Sequence, residues 1–390
     1  MTHILPRPKT MDESPYLNLW WSGETDLPGD KLIAWARTQR LLPLIGWRAK
    51  QRGWALPTPL QDAVRQTRYQ AAARQLLAAR QLHELAEIAR TQQLPVVIVK
   101  GQVVAEVYPS ATLRIYNDID LLAPPSAVPA LTQALQLRGY RAALDGGRGY
   151  HLPPFKPPGA GLRLEVHTAM KKGGTGDAFT FAQWADGLRP WAAFPGLLVP
   201  DPVGHWLYLA SHAIEHHECE MGLLPLADLK FWTDSWTVQD WESLATLAKA
   251  GGWERLVGLA LALVSWFWQA PWPAEIASRF PEPPEDILSW TQAVTSGETE
   301  MESLLPNLWR DLPEHSLRGW SAYAQLVLLG DPATRRSFSW HKRLRFYLRR
   351  PVYLVRNHGP ALWQLLRGQR KSRETWTAQR KMASWLRSSE

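Results

Sequence analysis

One cysteine, Cys219, stands in the whole chain. No intramolecular disulfide can therefore form, and a reducing, cytoplasmic setting is expected. Nor is there a clean run of about 20 apolar residues, the length a membrane-spanning helix needs. The nearest approach, Leu256–Ala274, carries Gln269 and is interrupted by Pro271 and Pro273, so it reads as a buried helix with no transmembrane segment. The first residues, MTHILPRPKTMDESP, lack an apolar stretch and do not read as a secretory signal. Acidic residues are scarce at the other end: residues 331–390 hold three, against 15 Lys and Arg. The first 330 residues hold 33 acidic and 29 basic ones, so the formal net charge of +8 belongs to the tail. A body that is slightly acidic is not a general nucleic-acid-binding surface.

What is present is globular in composition, 45% hydrophobic and 21% charged, over a length that suits roughly two to three structural units. Leu60 to Arg90 contains neither Pro nor Gly, and Val64, Leu77, Leu85 and Ile88 give it an apolar stripe at helical spacing. The pattern then changes. Leu94–Val99 is a β-branched run and reads as a buried strand. A short helix over Gln102–Tyr108 is stopped by Pro109, and a second strand is centred on Ile119, Leu121 and Leu122. A helix over Ser126–Arg138, a strand over Tyr140–Leu144, a Gly/Pro-rich loop over Asp145–Gly161 and a strand over Leu162–Val166 complete the unit. Residues 202–329 are again helical and rich in tryptophan. The chain has 22 Trp against 19 Phe and Tyr together, and Trp232, Trp236, Trp253, Trp266 and Trp268 read as helix-packing residues. The expected fold is thus α+β: a small mixed-sheet unit (94–200) set between an N-terminal helical region (1–93) and a helical domain (201–330), followed by a basic amphipathic tail (331–390).

Chemistry concentrates in Arg114-Ile115-Tyr116-Asn117-Asp118-Ile119-Asp120-Leu121-Leu122. On a strand, period two puts Asp118 and Asp120 on one face and Ile119 and Leu121 on the other. Two neighbouring carboxylates repel unless a cation lies between them, and Mg²⁺ takes oxygen ligands while keeping positions for phosphate. Lys100-Gly101 follows the preceding strand, where a glycine and the start of a helix favour phosphate approach. Arg114, four residues before Asp118, is placed to offset phosphate charge. Glu165, in Leu162-Arg163-Leu164-Glu165-Val166-His167, falls on the polar face of its strand and supplies the third carboxylate that a two-metal phosphoryl-transfer centre needs.

VVIVKG, LRIYNDIDLL and LEVH together resemble the uncharacterised bacterial branch of the nucleotidyltransferase superfamily, which has the polymerase-β-like fold. The motif-bearing match covers about Leu94–Met170, and the helical segment His205–Asp228 also resembles that family. The resemblance implies a palm-like sheet, a nucleoside triphosphate co-substrate, Mg²⁺ or Mn²⁺, and transfer of a nucleoside monophosphate to a hydroxyl of an acceptor: RNA, protein or small molecule. It implies Asp118, Asp120 and Glu165 as catalytic metal ligands, with Lys100 and Arg114 facing the phosphates. Two departures stand out. Gln102 replaces the Ser or Gly that the wider superfamily has after its glycine, and Glu165 replaces the commoner Asp. Two rival readings remain: a glycosyltransferase that holds a nucleotide-sugar through Asp-x-Asp, and a catalytically degenerate nucleotidyltransferase-fold binding module.

Weaker signals lie elsewhere. His205, His212, His216 and Cys219 recur at i, i+7, i+11 and i+14, one helical face. His212 and His216 are read as lining the nucleotide cleft, with a zinc half-site as the alternative. Lys171-Lys172-Gly173-Gly174-Thr175-Gly176 lacks the spacing of a phosphate loop and reads as a hairpin. In the tail, Leu344, Leu348, Val352 and Val355 form a stripe flanked by arginines. That segment would dock on the body, on RNA, or on an anionic membrane as a peripheral contact.

Overall fold

The computed structural model describes residues 14–143, 152–171, 178–269, 272–298, 347–348 and 370–388. Its N-terminal helices are α1 (Pro15–Ser22), α2 (Gly29–Thr38), α3 (Leu42–Arg52) and α4 (Thr58–Thr91). The last begins on Pro59 in its first turn, where a missing N–H costs nothing, and runs roughly 50 Å at 1.5 Å per residue. Among its buried positions is one polar residue, Gln81. Its Nε2 donates to the Leu162 carbonyl at 2.9 Å and its Oε1 accepts from the Leu162 N–H at 2.7 Å. The long helix thereby holds the chain at the entry to the strand that carries Glu165.

The sheet consists of β1 (Val97–Val99), β2 (Asp118–Leu122), β3 (Arg141–Ala142), β4 (Phe155–Lys156), β5 (Arg163–His167), β8 (Arg189–Pro190) and β9 (Leu198–Val199). Their order is β3-β4-β5-β2-β1-β9-β8, with β2–β5 and β1–β9 parallel and the rest antiparallel, so the sheet is mixed as expected. A separate hairpin, β6 (Ala169–Lys171) with β7 (Ala178–Thr180), follows β5. Between sheet strands lie α5 (Gly101–Ala105) and α6 (Val128–Leu137), with a 3₁₀ turn at Ala111–Leu113, and α7 (Phe181–Trp184) follows the hairpin. One correction concerns Asp145–Gly161. The segment expected to be loop contains β4, whose two residues are recruited by pairing with β5 although their own sequence has no strand pattern. Residues 145–151 of that loop, the Lys172–Gly176 stretch and the tail stripe apart from Leu348 lie outside the described residues.

The helical half is built from α8 (Pro202–Ser211), α9 (Leu224–Thr233), α10 (Val238–Gly251), α11 (Glu254–Trp268), α12 (Ala274–Ala277) and α13 (Glu285–Ser296), with α14 (Arg370–Arg387) packed on α11 and α13. No described helix is long and apolar enough to cross a membrane. One continuous apolar core joins these helices to α1–α4 and the sheet. Tryptophan N–H groups are largely satisfied within it: Trp20 and Trp21 both donate to the Phe267 carbonyl, Trp35 to Ser296 and Trp206 to Leu229. Trp236, Trp266 and Trp290 have buried N–H groups without a partner.

Candidate active site

Ile119 and Leu121 are fully buried, so the alternating side chains Asp118 and Asp120 take the opposite face of β2. The parallel register sets Asp120 beside Glu165 and Leu122 beside His167. His167 lies two residues after Glu165 and so emerges on the same face. One ligand atom each from Asp120, Glu165 and His167 lie within 4.8 Å of one another. This is the tight donor group among the described residues. Asp118 stands one alternation further along β2, half-buried at the outer end of the face. At the inner end that face closes against a small apolar cluster of Val97, Val99, Leu122, Trp184 and Tyr208.

Asp120 is 5% exposed and organises the group. Its Oδ1 accepts from Lys100 Nζ at 3.0 Å and lies 3.0 Å from His167 Nε2. Burial alone would raise its pKa, but the Lys100 ammonium and His167 outweigh this and hold it below the usual carboxylate range. Asp118 goes the other way. Burial and the neighbouring Asp120 charge raise it, and burial with both aspartates raises Glu165. Carboxyls pushed above their ordinary range by one another are relieved by a divalent cation. Two carboxylates and an imidazole suit such an ion, with the imidazole better matched to Mn²⁺ than to Mg²⁺.

Lys100 sits in the left-handed region, with φ of +59°, between β1 and α5. That turn aims its ammonium at Asp120 and over the Tyr208 ring, 5.9 Å from the centroid. Its own N–H does not face the cleft: it donates to Nε2 of the fully buried His205 at 3.0 Å. Burial lowers the His205 pKa to about 3, so this ring is a neutral acceptor and belongs to the scaffold. Gly101 also has a different reason from the expected one. A Cβ there would come within 3.2 Å of Tyr116 Cβ, so glycine permits the close packing of α5 on the segment before β2. Gln102, where a hydroxyl is commoner, donates from Nε2 to the Asp118 carbonyl at 2.8 Å and braces β2 from behind.

Arg114 is engaged in an ion pair. Its Nε and one terminal nitrogen make a bidentate pair with Asp228 of α9, both at 2.8 Å, and Tyr108 donates to the same carboxylate at 2.5 Å. Side-chain exposures of 9% and 4% show that the pair is enclosed. It ties the segment before β2 to the helical half, and Asp228 was not among the sequence candidates.

The histidine face is interrupted. After α8 the chain makes a π turn over His212–His216, whose extra residue shifts the register, as such bulges do. His212, His216 and His217 cluster with ring centroids 4.5–5.3 Å apart. The His212 ring packs on Tyr208, 5.7 Å between centroids, the ring over which Lys100 lies, and burial with the charges of Lys100 and the other histidines keeps its pKa well below the ordinary value. Cys219 leaves the row. It has φ of +68°, is buried, and bonds to Thr295, and burial pushes its thiol up to about 12.

Residues 26–269 match the model of a family described as uncharacterised nucleotidyltransferases. The chain belongs to that family. It is accordingly a transferase, and the four motif-bearing elements β1, α5, β2 and β5 all fall inside the matched region. No curated protein matches it by sequence. Among solved structures, the solution structure of the antibiotic-resistance factor ANT(2'')-Ia shares 15% identity, covering 45% of this chain and 92% of that one at a TM-score of 0.34. A crystal structure of ANT(2'')-Ia in complex with adenylyl-2''-tobramycin shares 16%, covering 45% and 98%, at a TM-score of 0.35.

Proposed function

We propose that this nucleotidyltransferase moves a nucleoside monophosphate from a nucleoside triphosphate to an acceptor hydroxyl, using Mg²⁺ or Mn²⁺ held by Asp118, Asp120 and Glu165 with His167. The observation that carries the reading is the convergence of Asp120, Glu165 and His167 from two parallel strands onto one point, with Asp118 beside them. A divalent cation bound there would acidify the attacking hydroxyl and offset charge on the α-phosphate. The chain's own residues do the positioning. Lys100 fixes the Asp120 carboxylate, and Gln102 and Gln81 brace β2 and β5 so that the carboxylates keep their spacing. His212, stacked with His216 and packed on Tyr208, would line the nucleotide side of the cleft. Donors anchored on paired strands need little reorganisation when substrate arrives.

Lys100 one strand away and Glu165 one strand on the other side favour nucleotidyl transfer over a nucleotide-sugar site, which needs neither. The basic residues of 331–390 are where an RNA acceptor or an anionic membrane would be met. The test is pyrophosphate release from each of the four triphosphates, with cell extract as acceptor source, under Mg²⁺, Mn²⁺ or EDTA. Release that requires the metal supports the proposal. Release that persists in EDTA contradicts it.

A further inference from the structure

The pairing of Arg114 with Asp228 leaves a triphosphate without the arginine that the sequence offered for it. A second arginine comes to the same neighbourhood from the N-terminal helices. Arg40 lies in the turn between α2 and α3, with φ of +57°. Its neighbours fix that turn. Gln39 donates from Nε2 to the Ser296 carbonyl at 3.1 Å and accepts at Oε1 from the Leu223 N–H at 2.9 Å, directly before α9, the helix that carries Asp228. Leu41 and Leu42 are buried, and α3, which starts there, packs on the 111–113 turn that leads into Arg114. These contacts set the Arg40 turn between the start of α9 and the 111–113 turn, where the charges of Arg114, Asp118 and Asp228 act on its guanidinium. Its side chain is exposed, and it bonds to no carboxylate among the described residues.

We infer that Arg40 is a phosphate-binding residue of the nucleotide site, contacting the β- and γ-phosphates of the triphosphate at the outer, Asp118 end of the cleft. The inference rests on the nucleotidyltransferase reading above. Lys100 and Arg114 are both committed to aspartates, whereas Arg40 presents a fork of donors of the kind that matches phosphate oxygens. Its left-handed backbone is one that a non-glycine residue adopts at a steric cost, so the position does not favour arginine for folding.

That strain supplies a clean variant. Arg40→Gly removes the guanidinium and relaxes the backbone, so the melting temperature should hold. Calorimetric titration of wild type and Arg40→Gly with each nucleoside triphosphate and its monophosphate, in Mg²⁺, is the experiment. The expected result is at least about a tenfold loss of triphosphate affinity with monophosphate affinity unchanged. Equal triphosphate affinity in both proteins, or equal weakening of triphosphate and monophosphate, would overturn the assignment of Arg40 and leave the nucleotidyltransferase reading standing. A wild-type chain that binds no triphosphate would overturn both.

Discussion

Asp118 and Asp120 look equivalent in the sequence but differ in what removal does. Asp120 neutralises a nearly buried ammonium, with side-chain exposures of 15% for Lys100 and 7% for itself. Asp120→Asn should therefore abolish transfer and also cost about 3 kcal/mol in urea unfolding, because Lys100 is left inside without its counter-charge. Asp118 holds no such pair. Asp118→Asn should lower transfer by about a hundredfold or more while leaving the unfolding midpoint in place. The Asp-x-Asp face and Glu165 were legible because period two fixes both from local sequence. His167 carries the same signal, two residues beyond Glu165 on the same face. The Arg114–Asp228 pair has no local signal, because its partners lie 114 residues apart. Cys219 yields a simpler expectation. A thiol that burial pushes up to about 12 should not react with Ellman's reagent at pH 8 until denaturant is added, when one equivalent should appear.

At the scale of elements, segments with an apolar pattern of their own are readable and those made by their partners are not. Expected helix Leu60–Arg90 is α4 within two residues, and Asp118–Leu122 is β2. The β4 and β8 strands have two residues each and owe their existence to partners, so no window of sequence contains the cause. The π turn after α8 is likewise invisible to a 3.6-residue period, which is why a four-residue face dissolved into a three-histidine cluster and a buried cysteine. The Arg114–Asp228–Tyr108 clasp is the link between sheet and helical half. Asp228→Asn should cost about 3 kcal/mol in urea unfolding, since it leaves a guanidinium buried and unpaired. Replacing Arg114 with Lys should not preserve the clasp, because an ammonium cannot span both carboxylate oxygens.

For the whole molecule, the α+β architecture follows from the order of patterns, helical, then alternating, then helical again. The core that crosses those regions does not, since Leu17, Leu121 and Phe267 enter it from all three. The end of the basic tail joins that core. Met382 is 2% exposed where α14 meets α11 and α13, and Arg255 donates to the Trp385 carbonyl at 2.8 Å. Met382→Ala should cost about 2 kcal/mol, read as a lower melting temperature. The net positive charge is thus carried on a segment anchored to an acidic body, with the carboxylate site in the body. The most direct test of the account is transfer of label from α-³²P nucleoside triphosphates, in Mg²⁺ or Mn²⁺ with cell extract, by wild type and by Asp118→Asn. A labelled acceptor should appear with wild type and be lost with the folded variant. Equal labelling by both proteins, or none by either, would contradict it.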